Sequence, residues 1–396
     1  MPPATNSQPV RVLSIDAYRG LVMLLMMAEV LRLREVATEF PDGAVWQWIG
    51  FHTSHVEWRG LSLHDLIQPS FSFLVGVALP FSLASRLAKG QSFTRMLWHA
   101  AWRAVVLVLL GIFLRSLGKP QTNFTFVDTL TQIGLGYVPL FLLGWRDARW
   151  QWGALVAILI GYWLAFALYP LPGADFDYAQ VGVPADWPHH ATGFAAHWNK
   201  NSNLAWAFDR WWLNLFPAEQ PFAFNAGGYV TLNFIPTLGT MILGLIAGER
   251  LKKFGRSWSL TVWLLLLGAA LWLAGSALDW LGLCPSVKRI WTPAWVLVSG
   301  GWCCWLLALF HAVLDLAGVV AWSFPLRVIG ANSIVAYVIT HPLEQFVADV
   351  FYTHLGHGPF QILGPAYEPL LVGAATLLVY WLILWWLYRK QIFIRV

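Results

Sequence analysis

Charge is what this chain of 396 residues has least of: Asp, Glu, Lys and Arg together make up 11%, well below the share usual in a soluble globule. Cysteine is almost missing too. Cys284 and the adjacent Cys303 and Cys304 lack the C-x-x-C spacing of a metal or redox site, so they read as packing residues and a disulfide scaffold is excluded. No H-E-x-x-H or His-Cys spacing is present, and no metal is expected. The basic residues are dispersed among short loops rather than gathered with aromatics, which argues against a nucleic-acid partner. No small-residue cleavage site follows the first apolar run, so the first helix is expected to insert and stay rather than leave as a signal peptide.

What is present in quantity is apolar surface, with 58% hydrophobic residues and 26 Trp. A hydrocarbon core of about 30 Å needs roughly 20 mostly apolar residues per helix. Ten segments qualify, near 17–33, 66–85, 97–117, 126–144, 151–170, 230–249, 259–281, 291–313, 325–341 and 369–388, the fourth and ninth carrying the most polar residues. The expectation is an all-α polytopic integral membrane protein, one bundle over 1–396, in contact with the lipid bilayer. An extended outer segment runs over 171–229 between the fifth and sixth helices.

With the amino terminus cytoplasmic, the short inner loops hold Arg86, Lys89 and Arg95, then Arg146 and Arg149, then Arg250, Lys252, Lys253 and Arg256, with Arg389, Lys390 and Arg395 at the tail. The longer outer loops are poorer in cations, so the positive-inside rule sets both termini in the cytoplasm. The net charge of +5 is then mostly topology.

Against this apolar background the stretch HVEWRGLSLHD, His55 to Asp65, sets two imidazoles and two carboxylates at the outer threshold of the second span. Ionisable groups at membrane depth are expensive unless they face water, a partner or a substrate. Polar residues also recur at helical spacing inside four spans: Asp65, Gln68, Ser72 and Gly76; Asp128, Gln132 and Gly136; Asn233, Thr237, Thr240 and Gly244; Gly330, Ser333, Tyr337 and His341. The Gly, Ser and Thr members read as surfaces that let helices approach closely. Asp65, Asp128, His341 and Glu29 all fall at outer helix ends, which points to a cavity open on that side. The outer segment's HWNKNSNLAWAFDRWWLNLFP is long enough for a lid or binding loop. Its Trp, Asn and Asp content suits a sugar, and equally an interfacial aromatic belt.

These residues carry a family resemblance. RVLSIDAYRGL from Arg11, HVEWRGLSLHDLIQPSFSFLVGVALPFSL from His55, HWNKNSNLAWAFD from His197, FIPTLGTMILGLIAGERL from Phe234, GANSIVAYVITH from Gly330 and the terminal YRKQIFIRV resemble the transmembrane N-acetyltransferases typified by heparan-alpha-glucosaminide N-acetyltransferase. The bacterial DUF5009 or NagX-like branch is closer still. The resemblance implies an acyltransferase that moves acetyl from cytosolic acetyl-CoA, its co-substrate, to the amino group of an amino sugar or glycan on the outer side. It also implies a bacterial inner membrane, with a homodimer left open.

The family's active histidine precedes a Trp by three residues and an Asp by ten. The catalytic roles therefore carry over to His55 and Asp65, with Trp58 between them. Imidazole titrates near neutrality and can take a proton from an amine or itself accept the acetyl group. Glu29, Trp58, Asp128, Gln132, Asn201, Asp209, Asn233, Asn332 and His341 are the expected acceptor-binding residues, and Arg86, Arg95 and Arg103 those for the acetyl-CoA phosphates. Asp16 and Arg19, three apart, are expected to pair structurally. Where the lysosomal enzyme has Asn near the outer end of its first helix, this chain reads MAEVLRL, so the acceptor can differ. The rival reading is an amino-sugar transporter of the N-acetylglucosamine type, which inverted repeats with broken helices would favour. Pro236 is one candidate break.

Overall fold

The computed structural model describes residues 12–394. Arg11, which opens the first matched block, and Arg395, counted among the inner cations, lie outside them. Among the described residues every element is helical. Helix α1 (Leu13–Met27) passes through a 3-10 turn, Ala28–Leu31, into two short helices, α2 (Leu33–Thr38) and α3 (Ala44–His52). Beyond the loop that carries His55 come α4 (Ile67–Ala88), α5 (Phe93–Ser116), α6 (Thr129–Leu143) and α7 (Ala148–Leu168), then an irregular segment containing α8 (Leu204–Trp212). The chain continues through α9 (Phe234–Phe254), α10 (Trp258–Trp280), α11 (Pro293–Phe310) with its π-helical extension His311–Leu316, α12 (Phe324–Ala331), α13 (Ser333–Leu355) and α14 (Glu368–Arg389).

All ten expected spans fall on helices, yet not all are of membrane length. Seven are long and apolar enough to cross a bilayer, and α12 with α13 makes an eighth that bends by 71°. Helices α1 and α6 have 15 residues each, roughly 22 Å at 1.5 Å per residue. The bend sits at Asn332, whose φ of −128° and ψ of 46° leave the helical region. Pro236 breaks nothing: it falls in the first turn of α9, where a missing N–H leaves no intrahelical bond unmade.

The centre of the bundle is α4 against α9, whose apolar windows are 67% and 78% buried, whereas those of α5 and α7 are 28% and 22%. Glycine sets that central contact. A Cβ on Gly76 would stand 1.9 Å from the Met241 carbonyl oxygen, and one on Gly244 1.9 Å from that of Phe73. The glycine seam is therefore a packing surface, as small residues commonly are between membrane helices. Asp16 and Arg19 pair at 2.6 Å, and Arg19 Nε donates to the Gly330 carbonyl at 2.8 Å, tying α1 to α12. All three cysteines are buried and free.

The 169–230 segment folds over one end of the bundle with its own core, in which Trp58, Trp187, Trp198 and Trp206 pack with Val287 and Ile290. The loop carrying His55 is laced to the end of α10 and to the loop that follows it. Arg59 and Val287 form an antiparallel bridge, Gly60 N–H donates to Ser286 O at 3.2 Å, and Arg59 Nε donates to Asp279 Oδ1 at 2.8 Å.

Candidate functional site

Two loops and a helix start bring the ionisable residues together. His55 belongs to the loop after α3, Asp65 to the 3-10 turn His64–Leu66 that opens α4, and Lys288 to the loop before α11. His55 Nδ1 lies 2.8 Å from Asp65 Oδ1. Lys288 Nζ lies 3.0 Å from the same imidazole nitrogen and 3.2 Å from the same carboxylate oxygen. Asp65 is fully buried, and its Oδ2 accepts the backbone N–H groups of Val56 and Ser62, each at 3.2 Å. A carboxylate with donors on both oxygens cannot swing away, so the imidazole it faces is held in one orientation.

Nδ1 has one position and two claimants. Asp65 asks it to donate, Lys288 asks it to accept. With the Nδ1–H tautomer, Asp65 Oδ1 accepts a hydrogen bond from Nδ1, Lys288 turns its own protons to Oδ1, and Nε2 keeps a free lone pair. The His55 side chain is 39% exposed, against 0% for Asp65 and 5% for Lys288, so the reactive ring reaches open space while its supports do not. Burial is the main influence drawing the His55 pKa below its usual value. The Lys288 and Arg289 charges act the same way, and the hydrogen bond that His55 Nδ1 donates to Asp65 opposes them. Burial likewise lowers the Lys288 ammonium.

His55 lines a cavity of about 590 Å³ together with Glu29, His64, Gln68, Arg115, Tyr229, Lys288, Tyr337, His341 and Glu344. The rings of His55 and His64 are 4.3 Å apart, and His64 Nε2 is 3.4 Å from Glu29 Oε1. On another wall Asp128, fully buried, takes Arg115 Nε at 3.0 Å and the Tyr337 hydroxyl at 3.0 and 3.1 Å, while also capping α6 through the Leu130 N–H. Arg289 ties the His55 loop to the segment ahead of α9 by donating to the carbonyls of Val56 and Gly227.

Below Phe71 lies a narrow space of about 80 Å³, and below that a cavity of about 390 Å³ lined by Arg86, His99 and Arg103. The first two spaces share Phe71, and the last two share Leu79, Ser82, Arg103 and Tyr137. They follow one face of α4 from Gln68 to Arg86, about 27 Å by helical rise. Arg103 Nη1 donates to the Tyr137 hydroxyl at 3.0 Å on the border between the lower two.

Compared with known proteins, the chain is 25% identical over 388 residues to human heparan-alpha-glucosaminide N-acetyltransferase and 24% identical over 384 residues to the mouse protein. Each alignment takes in 87% of this chain and 55% of the relative, so the chain spans about half the length of the curated relatives it matches. No family model matches.

Of the expected acceptor residues, Glu29 and His341 line the His55 cavity, and Asp128 stands behind its wall, acting through Arg115 and Tyr337. Asp209 lines a neighbouring cavity. The others are placed differently. Trp58 is buried in the cap core against Trp187. Gln132 spends its amide nitrogen on the Phe126 and Thr231 carbonyls, Asn201 on those of Val181 and Asn225, and Asn233 on that of Arg289. Asn332 bonds Ile392 O and Ile394 N–H, tying the α12–α13 bend to the carboxyl-terminal segment. The four amides hold backbone, and neither they nor Trp58 line the His55 cavity. Of the expected phosphate ligands, Arg86 and Arg103 line the lower cavity, whereas Arg95 is exposed and lines none of the three spaces described.

Lys288 and Arg115 are the cavity cations that the motifs did not single out. Lys288 had a signal: with Arg289 it makes the one adjacent pair of cations in loops otherwise poor in them.

Proposed function

We propose that this chain is a membrane acetyltransferase, passing acetyl from acetyl-CoA to the amino group of an amino sugar or glycan, with His55 as the proton-active or acetyl-accepting group. The observation that carries the reading is the His55 imidazole held at Nδ1 by a fully buried Asp65, with its ring on a 590 Å³ cavity. The likeness to named N-acetyltransferases over most of the chain supports it.

In this reading the Arg86 and Arg103 end is cytoplasmic, as the positive-inside rule suggests, and the His55 end faces out across a bacterial inner membrane. The two arginines meet the phosphates of acetyl-CoA, and the thioester arm follows the α4 face toward His55. Glu29 and Glu344 give the upper cavity two carboxylates suited to an incoming ammonium.

Two routes share the same residues. In direct transfer, His55 Nε2 takes a proton from the amine as its nitrogen bonds to the thioester carbonyl carbon. The C–S bond breaks, and the departing thiolate receives that proton as coenzyme A leaves. In the two-step route, Nε2 itself bonds to the carbonyl carbon, the C–S bond breaks and coenzyme A departs as the thiolate, leaving an acetyl-imidazolium whose Nδ1 proton stays in the hydrogen bond to Asp65. The amine then attacks the acetyl carbon, the C–N bond to histidine breaks, and the amine's surplus proton passes to Nε2 and from there to the thiolate. Asp65 keeps the tautomer with Nε2 free in both.

The decisive experiment gives labelled acetyl-CoA and glucosamine to the detergent-purified chain and to its His55→Ala variant. Labelled N-acetylglucosamine from the first and a loss of about 10³-fold in the second are expected. Equal rates in the two overturn the assignment.

One observation favours the transporter instead: α12 and α13 form a span broken by 71°, of the kind that lines substrate sites in carriers. Among the described residues it is the one such break. Saturable uptake of N-acetylglucosamine into proteoliposomes, with no acetyl product, would establish that reading.

A further inference from the structure

Either route places the same charge on the same atom. As the amine or His55 Nε2 adds to the carbonyl carbon, the π pair moves onto the acetyl oxygen, and it returns when the leaving group departs. In acyl transfer a fixed donor aimed at that oxyanion is commonly the largest single contribution to the rate. The groups already assigned do not supply it. Asp65 occupies His55 Nδ1, Lys288 Nζ stands on that same side of the ring, and Arg115 gives its Nε to Asp128.

Tyr229 is differently placed. It lines the His55 cavity, partly buried, and among the described residues its hydroxyl has no hydrogen-bond partner. Asn225 Oδ1 accepts the backbone N–H groups of Gly227 and Tyr229 at 2.9 and 3.3 Å, which shapes the turn that carries the ring. Arg289 then fixes that ring against the His55 loop. Its guanidinium carbon lies 5.1 Å from the ring centroid, Nη1 donates to the Gly227 carbonyl at 2.7 Å, and Nη2 donates to the Val56 carbonyl at 3.3 Å. One planar cation, well suited to an aromatic face, thus spans the Tyr229 turn and the residue next to His55. Lys288 and Arg289, adjacent in sequence, hold the imidazole and the phenol respectively. Burial pushes the Tyr229 phenol above its usual pKa; the Asp65 and Glu29 charges add to this, those of Arg289 and Arg115 oppose it, and near neutral pH the hydroxyl keeps its proton. Gln68 also brings an amide to the cavity, but its side chain turns about several bonds and among the described residues no hydrogen bond fixes it.

We propose that the Tyr229 hydroxyl is a catalytic donor, hydrogen-bonding the acetyl oxygen as that atom becomes an oxyanion on the carbon under attack. The phenol keeps its proton throughout, so the traffic of protons between amine, His55 and thiolate is unchanged. The proposal rests on the acetyltransferase reading and adds to it the group that stabilises the charge. Because the hydrogen bond strengthens only as that charge builds, it acts on kcat and not on substrate affinity.

Steady-state acetyl transfer to glucosamine is measured on the full chain in detergent and on its Tyr229→Phe and Gln68→Met variants. Tyr229→Phe is expected to lose about 10²-fold in kcat, with KM for both substrates held within about threefold. Its unfolding midpoint should stay where it was, since the hydroxyl has no protein partner to lose. A raised KM with kcat unchanged would make the hydroxyl a ground-state contact and overturn the proposal, as would a kcat within a few-fold of the original. A kcat loss that arrives with a lowered midpoint would mark a structural role and overturn it too. A fall of the expected size in Gln68→Met instead would give the oxygen to the amide. In each of these cases turnover by the unaltered chain leaves the acetyltransferase reading standing. No product from the unaltered chain removes that reading, and this proposal with it.

Discussion

Asp65 and Asp128 occupy comparable stations behind two walls of one cavity. Both are fully buried, both sit at the start of a helix, and both hold a cation and a ring-bearing side chain. They differ in what they present. Asp65 presents an imidazole, which changes charge near neutrality; Asp128 presents a guanidinium and a phenol, which do not. A buried carboxylate at a membrane edge is therefore not itself a catalytic sign. Its role is set by the group it aims at the cavity, and the two stations divide into one that can move a proton and one that fixes charge and shape.

The strongest way to break that division is Asp65→Asn. The asparagine amide would donate to Nδ1 from its NH2 group and favour the tautomer with the proton on Nε2, the wrong nitrogen for either route. A fall in kcat of about 10²-fold or more is expected, measured by acetyl transfer from labelled acetyl-CoA to glucosamine. A variant that stays folded and keeps kcat within a few-fold would remove the proton-active station from the comparison.

Asp128→Asn should act on stability before rate. Arg115 is 48% exposed and can recover hydration, which lowers the penalty of losing its partner. The Tyr337 hydroxyl keeps an amide oxygen to donate to, and the Leu130 cap survives in part. A loss of about 1–2 kcal/mol is expected, read as a lowered unfolding midpoint in detergent, with kcat/KM changed by less than about tenfold. An Asp128→Asn defect in kcat as large as that of Asp65→Asn would erase the distinction between the stations.

How much of this was legible from residues alone follows from the range over which each feature is set. The helices were, because hydrocarbon thickness imposes length and apolarity segment by segment; what escaped was the shortness of α1 and α6 and the bend at Asn332, which depend on neighbours. His55 and Asp65 were singled out through the resemblance, whose ten-residue interval from histidine to aspartate this chain repeats, and the structure sets the two 2.8 Å apart. Lys288 was not, because it arrives from 223 residues away through a loop whose docking on the His55 loop is a tertiary event. Gln132, Asn201, Asn233 and Asn332 resembled ligand residues because buried amides are rare in apolar segments. Their use is to satisfy loop and helix-end carbonyls that a helix ladder cannot reach. Composition counts such groups without saying which way they face.

Lys288 gives the finest test, since it alters the proton-active station without removing it. Four charged or titratable groups bear on His55: Asp65, Lys288, Arg289 and the neighbouring His64. A positive charge beside an imidazole disfavours its protonated form, so the Lys288 ammonium holds the His55 pKa down. Lys288→Met removes that charge while keeping an unbranched apolar stem in the buried slot. The His55 pKa then rises, and the acid limb of kcat/KM moves to higher pH. The plateau above the limb should fall by no more than about tenfold, because Lys288 touches Nδ1 and not the reacting Nε2. Lys288→Arg retains the charge and should leave the limb near its original position. Asp65→Asn, by withdrawing a group that favours the imidazolium, should displace any residual limb the opposite way. A Lys288→Met profile that does not move, or moves to lower pH, would mean that the lysine bears no charge when His55 titrates and that Asp65 and burial alone govern the imidazole.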